Sequence, residues 1–148
     1  MVFTLNKILD SVTGVLKKSY PNIPVYSNLV QQGAAVPCFF VFFVPTEIVN
    51  QMGNRFMRDI GIDIIYQVDK DNSAAYGQMV SAADELDCTL GFIPYSDSEF
   101  KLRTYERVWE IEEGELHYQI HIKAALDNSI EAQQMESVET YKGGIKNV

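Results

Sequence analysis

The segment PCFFVFFVP, residues 37–45, sets seven consecutive apolar residues between two prolines, and few folds admit it. Seven residues is strand length, far short of the ~20 apolar residues a membrane-spanning helix needs. Val41 and the four phenylalanines favour β structure. The prolines bound the segment, because proline has no N–H to give to a ladder. Apolar side chains stand at every position, so both faces must be covered, as they are in a central strand.

The flanking sequence supplies the rest of the fold. Over residues 4–18, Leu5, Ile8, Leu9, Val12 and Leu16 recur at three- and four-residue steps, which is one stripe of a helix. Lys17 and Lys18 suit the negative end of its dipole. Pro21 and Pro24 then impose an extended exit into a first strand over residues 25–30. After the loop TEIVNQMGN comes the longest alternating run of the chain, residues 55–67. There Phe56, Ile60, Ile62, Ile64 and Tyr66 share one parity, and Arg55, Asp59, Asp63 and Gln67 the other. Period two over that length predicts a half-buried strand, antiparallel to the phenylalanine strand, with Gly61 marking a bulge.

Ser73 is the expected cap of a second helix reaching about Asp87, with Tyr76, Met79, Val80, Ala83 and Leu86 on its buried face. Gly91 ends it and Pro94 prevents its resumption. Strands over residues 99–111 and 115–126 follow, joined by the turn EEGE. The expected order is α-β-β-β-α-β-β: an α+β fold with a mainly antiparallel sheet and two packed helices. Residues 1–126 form one domain, and residues 127–148 a polar tail or arm with scattered apolar residues.

Composition narrows the function. With a net charge of −8 over 148 residues, the chain is a poor ligand for a phosphate backbone, whose affinity comes from Lys and Arg. Basic residues follow the apolar ones at the N-terminus, unlike a signal peptide, so the chain is expected to be soluble and to stay where it is made. Cys38 and Cys88 read as buried free thiols of a reducing compartment.

The search for chemistry is short. DKDNS, residues 69–73, opens like a calcium loop, but Ala74 and Val80 stand where that loop needs Gly and Glu. His117 and His121 lie on one strand parity with Cα atoms about 13 Å apart, too far for one metal ion without further ligands. No phosphate-binding glycine loop, paired-carboxylate signature or Gly-x-Ser-x-Gly elbow occurs. No catalytic residue, cofactor or metal is expected, and the empty search argues against an enzyme.

Three segments carry a resemblance. PNIPVYSNLVQQGAAVPCFFVFFVP is similar to an early segment of small phage tail terminator (tail completion) proteins, through Val25, Tyr26, Gln32, Gly33, Pro37, Cys38, Phe39, Phe40 and Val41. EEGELHYQIHIK resembles that family's closing hairpin at Gly114, Leu116, His117 and Tyr118. The strand that begins at Arg55 fits the same plan. The closing turn departs from the family, which often has a Gly-Val or similar pair where this chain has residues 113–115.

The resemblance implies a structural virion protein of phages, prophages or phage-derived bacteriocins of Gram-positive bacteria. Such proteins form a hexameric ring on the head-proximal end of the tail tube, stop its polymerisation and provide the head–tail joining surface. The implied partners are the chain itself, the tube protein, a head-completion or neck protein and, in contractile tails, the sheath. DNA would pass through the lumen without specific binding, and no membrane is involved. The implied location is the neck of the virion tail, assembled in the bacterial cytoplasm. Another head–tail connector or a tail-tube component is the alternative.

Two surfaces are expected to carry the contacts. The loop of the long hairpin holds Ile48, Val49 and Met52, more apolar than a solvated loop needs, with Arg55 at its base. In the following hairpin Lys101, Arg103, Tyr105, Arg107 and Trp109 share a parity, an expected subunit-facing strip rich in Arg, Tyr and Trp.

Overall fold

The computed structural model describes residues 4–27, 35–50, 55–95 and 98–127. Helix α1 (Leu5–Ser19) starts where expected, with the Thr4 side chain accepting from the Lys7 amide at 3.2 Å. Its Ile8, Val12 and Leu16 are buried, and Leu5 and Leu9 pack at the margin of the core. Six strands follow: β1 (Val25–Tyr26), β2 (Cys38–Asn50), β3 (Arg55–Gln67), β4 (Phe92–Pro94), β5 (Lys101–Glu112) and β6 (Glu115–Asp127), with α2 (Ala75–Thr89) between β3 and β4. They form one sheet in the order β1-β2-β3-β6-β5-β4. Every pairing is antiparallel except β1 with β2. The α+β class and the α-β-β-β-α-β-β succession therefore hold, with the short β4 added.

Both helices contribute to the one large core on a single face of the sheet. Ile60, Ile62 and Ile64 from β3, and Leu116, Tyr118, Ile120 and Ile122 from β6, are sealed there together with Phe39 and Val41. Each fully buried isoleucine contributes on the order of 2 kcal/mol. That sum sets the register, because a one-residue slip of β3 would drive Asp63 into the core in place of Ile62. The ring of Phe39 stacks on Tyr66 at 4.7 Å and tilts against Tyr20 at 5.0 Å.

Among the described residues the opposite face of the sheet carries none of the large core, yet it is not fully solvated. Cys38, Phe40 and Ile65 are buried there beside Tyr26 and Phe42. This explains the apolar run without alternation: alternate residues of β2 serve two separate clusters. β2 lies between β1 and β3, inside the sheet as expected. Among the described residues, β1 stands beside Phe39 and Phe40 of β2.

Several boundaries move. The phenylalanine strand does not stop at Pro45 but continues to Asn50, so most of TEIVNQMGN is strand. One extra residue falls between Val44 and Glu47, where β2 carries Pro45, and this bulge absorbs the missing N–H. The bulge thus lies on β2, opposite Gly61, and β3 pairs with β6 without a break. Val44 reaches so close to Gly61 that a Cβ there would sit 2.2 Å from the valine Cγ2.

Ser73 is not the cap of α2. Ala74 holds that position, and the Asn72 side chain accepts from the Ala74 amide at 2.9 Å. Tyr76 is exposed instead of packed, because the buried stripe is Met79, Ala82, Ala83 and Leu86. Cys88 is exposed as well, on the side of α2 away from that stripe, while Cys38 is buried as expected. Of the first strand only Val25–Tyr26 is strand, and residues 28–34 lie outside the described residues. The tail, residues 128–148, lies outside them too.

The closing turn has Glu113 and Gly114 at φ of 53° and 77°, the two positive values of a type I′ hairpin. Among the described residues no helix is long and apolar enough to cross a membrane.

Candidate interaction surface

The face opposite the helices gathers the polar residues that the sequence singled out. His117 stands across from Ile65, and its Nδ1 reaches diagonally to Asp63 Oδ2 at 3.3 Å. His121 stands across from Gly61 and makes the same diagonal to Asp59 Oδ1 at 3.6 Å. Two strands in antiparallel register with a period of two produce this repeat directly, since diagonal neighbours lie within reach of long side chains. The two histidines thus face two different aspartates and do not converge. Among the described residues no three His, Cys, Asp or Glu side chains come together as a metal site would need.

Asp63 is the unusual member. It is 6% exposed, and its Oδ1 has no hydrogen-bond partner among the described residues. Burial raises its pKa above the ordinary carboxylate range, and the hydrogen bond and charge of His117 pull it partly back. Four residues further along β3, Gln67 donates from Nε2 to Glu115 Oε2, closing the row that begins at Cys38. Burial also raises the Cys38 thiol, with Glu115 adding to the effect, so this cysteine is no ready nucleophile.

The strip expected along β5 is split by a bulge. Tyr105 pairs with His121 and Val108 with Gln119, which leaves one residue more on β5 than on β6. Glu106 takes up the irregularity at φ 48°. A one-residue insertion exchanges the two faces. Arg103 and Tyr105 therefore share the face opposite the helices, whereas Arg107 and Trp109 turn to the helix side. The single-parity strip is corrected accordingly.

Each strip residue has a definite setting. Tyr105 donates its hydroxyl to Asp59 Oδ1, lies 5.6 Å from the His121 ring and carries the Lys123 ammonium 4.7 Å above its own ring. Arg107 donates from Nη1 to the Asp87 carbonyl at 2.6 Å, in the last turn of α2. Tyr118, buried beneath, donates to the carboxylate of the same Asp87, and burial with that acceptor raises its pKa. Trp109 pairs with Tyr118 in register but is 41% exposed. Arg103 is exposed beside Phe92 of β4.

At the other hairpin, Ile48 and Val49 sit in the outer part of β2, across from Arg58 and Met57. Arg55 begins β3 across from Asp127. Met52 lies outside the described residues. The sequence missed the exposed pair Phe92 and Val108, at 58% and 57%. A three-residue strand such as β4 gives too short a pattern to read, and Val108 needs the bulge to reveal its face.

A search of the curated proteins returns no match. The family model described as phage tail terminator protein matches residues 7–134. That span takes in α1 from its third residue, all of α2 and the six strands β1 to β6. The chain therefore belongs to the phage tail terminator protein family and is a structural component of a phage tail.

Proposed function

We propose that this chain is the terminator itself: six copies close into a ring on the head-proximal end of the tail tube, stop tube growth and present the joining surface to a head-completion or neck protein. In a contractile tail the same ring would also touch the last sheath ring. The observation that carries this reading is the family match over residues 7–134. The fold offers parts suited to it. The β2–β3 hairpin runs on to the pair Asn50 and Phe56, past the isoleucines that meet the helices. A ring repeats one heterologous contact until it closes, and strand edges left open in one copy can be covered by the next. The acidic balance suits a lumen through which DNA slides without sticking.

The test is tail length. Particles assembled without the chain should carry overlong tails, and adding the purified protein should restore a uniform length under negative-stain imaging. Normal tails without it would refute the reading. In the same assay Ile48→Ser/Val49→Ser should fold but fail to restore length, and full restoration would remove the β2–β3 hairpin from the contact.

A further inference from the structure

We propose that two exposed apolar patches of opposite charge, at the two ends of β5, are the two halves of one contact, and that the occupant of each is a second copy of this chain. The proposal rests on the ring reading above and assigns the surfaces that would close it.

The first patch lies past the bulge. β4 pairs only with Lys101, Leu102 and Arg103, so from Val108 to Glu112 the outer edge of β5 has no strand beside it among the described residues. Val108 and Trp109 project to opposite faces of this edge, 57% and 41% exposed. Val108, Trp109 and Glu110 line an open concavity together with His117 and Gln119. Glu106, Glu110, Glu112 and Glu113 are all exposed around it. The only cation within residues 105–113 is Arg107, which is drawn to the helix side by the Asp87 carbonyl.

The second patch lies at the start of the same strand. Phe92, 58% exposed, is in register with Arg103, and Pro94 with Lys101. Lys101, Arg103 and Lys123 are exposed there. Asp59 nearby is engaged by Tyr105 and His121, and Glu99 is an exposed anion among the described residues there.

Each patch has the anatomy of an interface, an apolar centre inside a charged rim. Their signs decide which patch meets which. Acidic edge on acidic edge would set Glu110 and Glu112 against themselves, and like charges brought together cost affinity. Acidic edge on basic edge is favourable. A two-fold axis satisfies it reciprocally and a head-to-tail repeat in one direction; the ring reading above selects the head-to-tail form, which generates a ring when the rotation closes.

Charge reversal tests it on the full-length protein. The wild-type chain should form a discrete oligomer in sedimentation velocity and native mass spectrometry. Glu110→Lys/Glu112→Lys alone, and Lys101→Glu/Arg103→Glu alone, should each lose at least tenfold in self-association with unchanged far-ultraviolet circular dichroism. Mixed one to one, they should recover the oligomer with equal numbers of each chain, because every junction again joins opposite charges. Should a reversal fail to fold, Glu112→Gln and Lys101→Gln should each weaken association by a smaller factor. A wild-type chain monomeric at millimolar concentration, or reversals that assemble alone, would overturn the proposal. So would a mixture that stays dissociated. Assembly that survives the reversals but fails on deleting residues 128–148 would assign the edge to the tail instead. The tail-length assay separates this from the parent reading. If either reversed variant alone restores length as well as wild type does, the contact is wrong and the terminator reading stands.

Discussion

Arg107 donates from Nη1 to the main-chain carbonyl of Asp87 at 2.6 Å, so a side chain of β5, past the stretch paired with β4, closes the C-terminal end of α2. The last carbonyls of a helix lack internal partners and carry the negative end of its dipole, which makes a guanidinium there doubly suited. Only the bulge at Glu106 allows it, because without the extra residue Arg107 would face away from the helix.

Removing that contact should loosen the helix from the strand. Arg107→Ala should destabilise the fold by about 1 kcal/mol, the usual worth of an exposed hydrogen bond with charge on one partner. Arg107→Lys should recover part of it. Urea midpoints check both, and unchanged midpoints in the alanine variant would show that the bond is not holding α2 to β5.

Gly61 is required by space and not by backbone freedom. A Cβ at that position meets Val44 Cγ2 at 2.2 Å. Gly61→Ala should therefore cost about 1–3 kcal/mol, the range for overpacking. Gly61→Ala with Val44→Ala should cost less than the sum of the two single changes by about 1 kcal/mol or more, since the residues share one contact. Additive losses in denaturant titrations would refute the steric account.

Asp63 gives stability a definite slope with pH. Its folded-state pKa is raised by burial, so the folded chain keeps a proton that the unfolded chain releases from about pH 4 upward. Between that point and the raised value, the contribution of Asp63 to stability falls as pH rises. His117 bounds the effect by favouring the ionised carboxylate. Asp63→Asn should remove this share of the decline, visible as a flatter midpoint-versus-pH curve than wild type. An identical slope in the two proteins would mean that Asp63 titrates normally.

Much of this was legible beforehand wherever one period ran through a whole element. The stripe of α1 and the alternation of β3 from Ile60 onward and of β6 identify core residues correctly, because burial of one face imposes the period. The two-residue turn at Glu113 and Gly114 was legible for a similar reason, as its positive φ values call for glycine. Of the candidate contact residues, Arg103 and Tyr105 keep the setting that parity predicts, and Trp109 is exposed, though on the other face.

Local pattern by itself determined the class of fold, the buried stripe of α1, the core parity of β3 and β6, and the absence of a spanning helix among the described residues. It also gave the run PCFFVFFVP its strand character. Tertiary structure alone decided three further points. It split that run between two apolar clusters, set the β2 bulge against Gly61, and turned Arg107 to α2 while Val108 stayed on the open face. A bulge inserts one residue into one strand of a pair, so its place depends on the partner strand's register. Sequence periodicity along a single strand holds no record of that register.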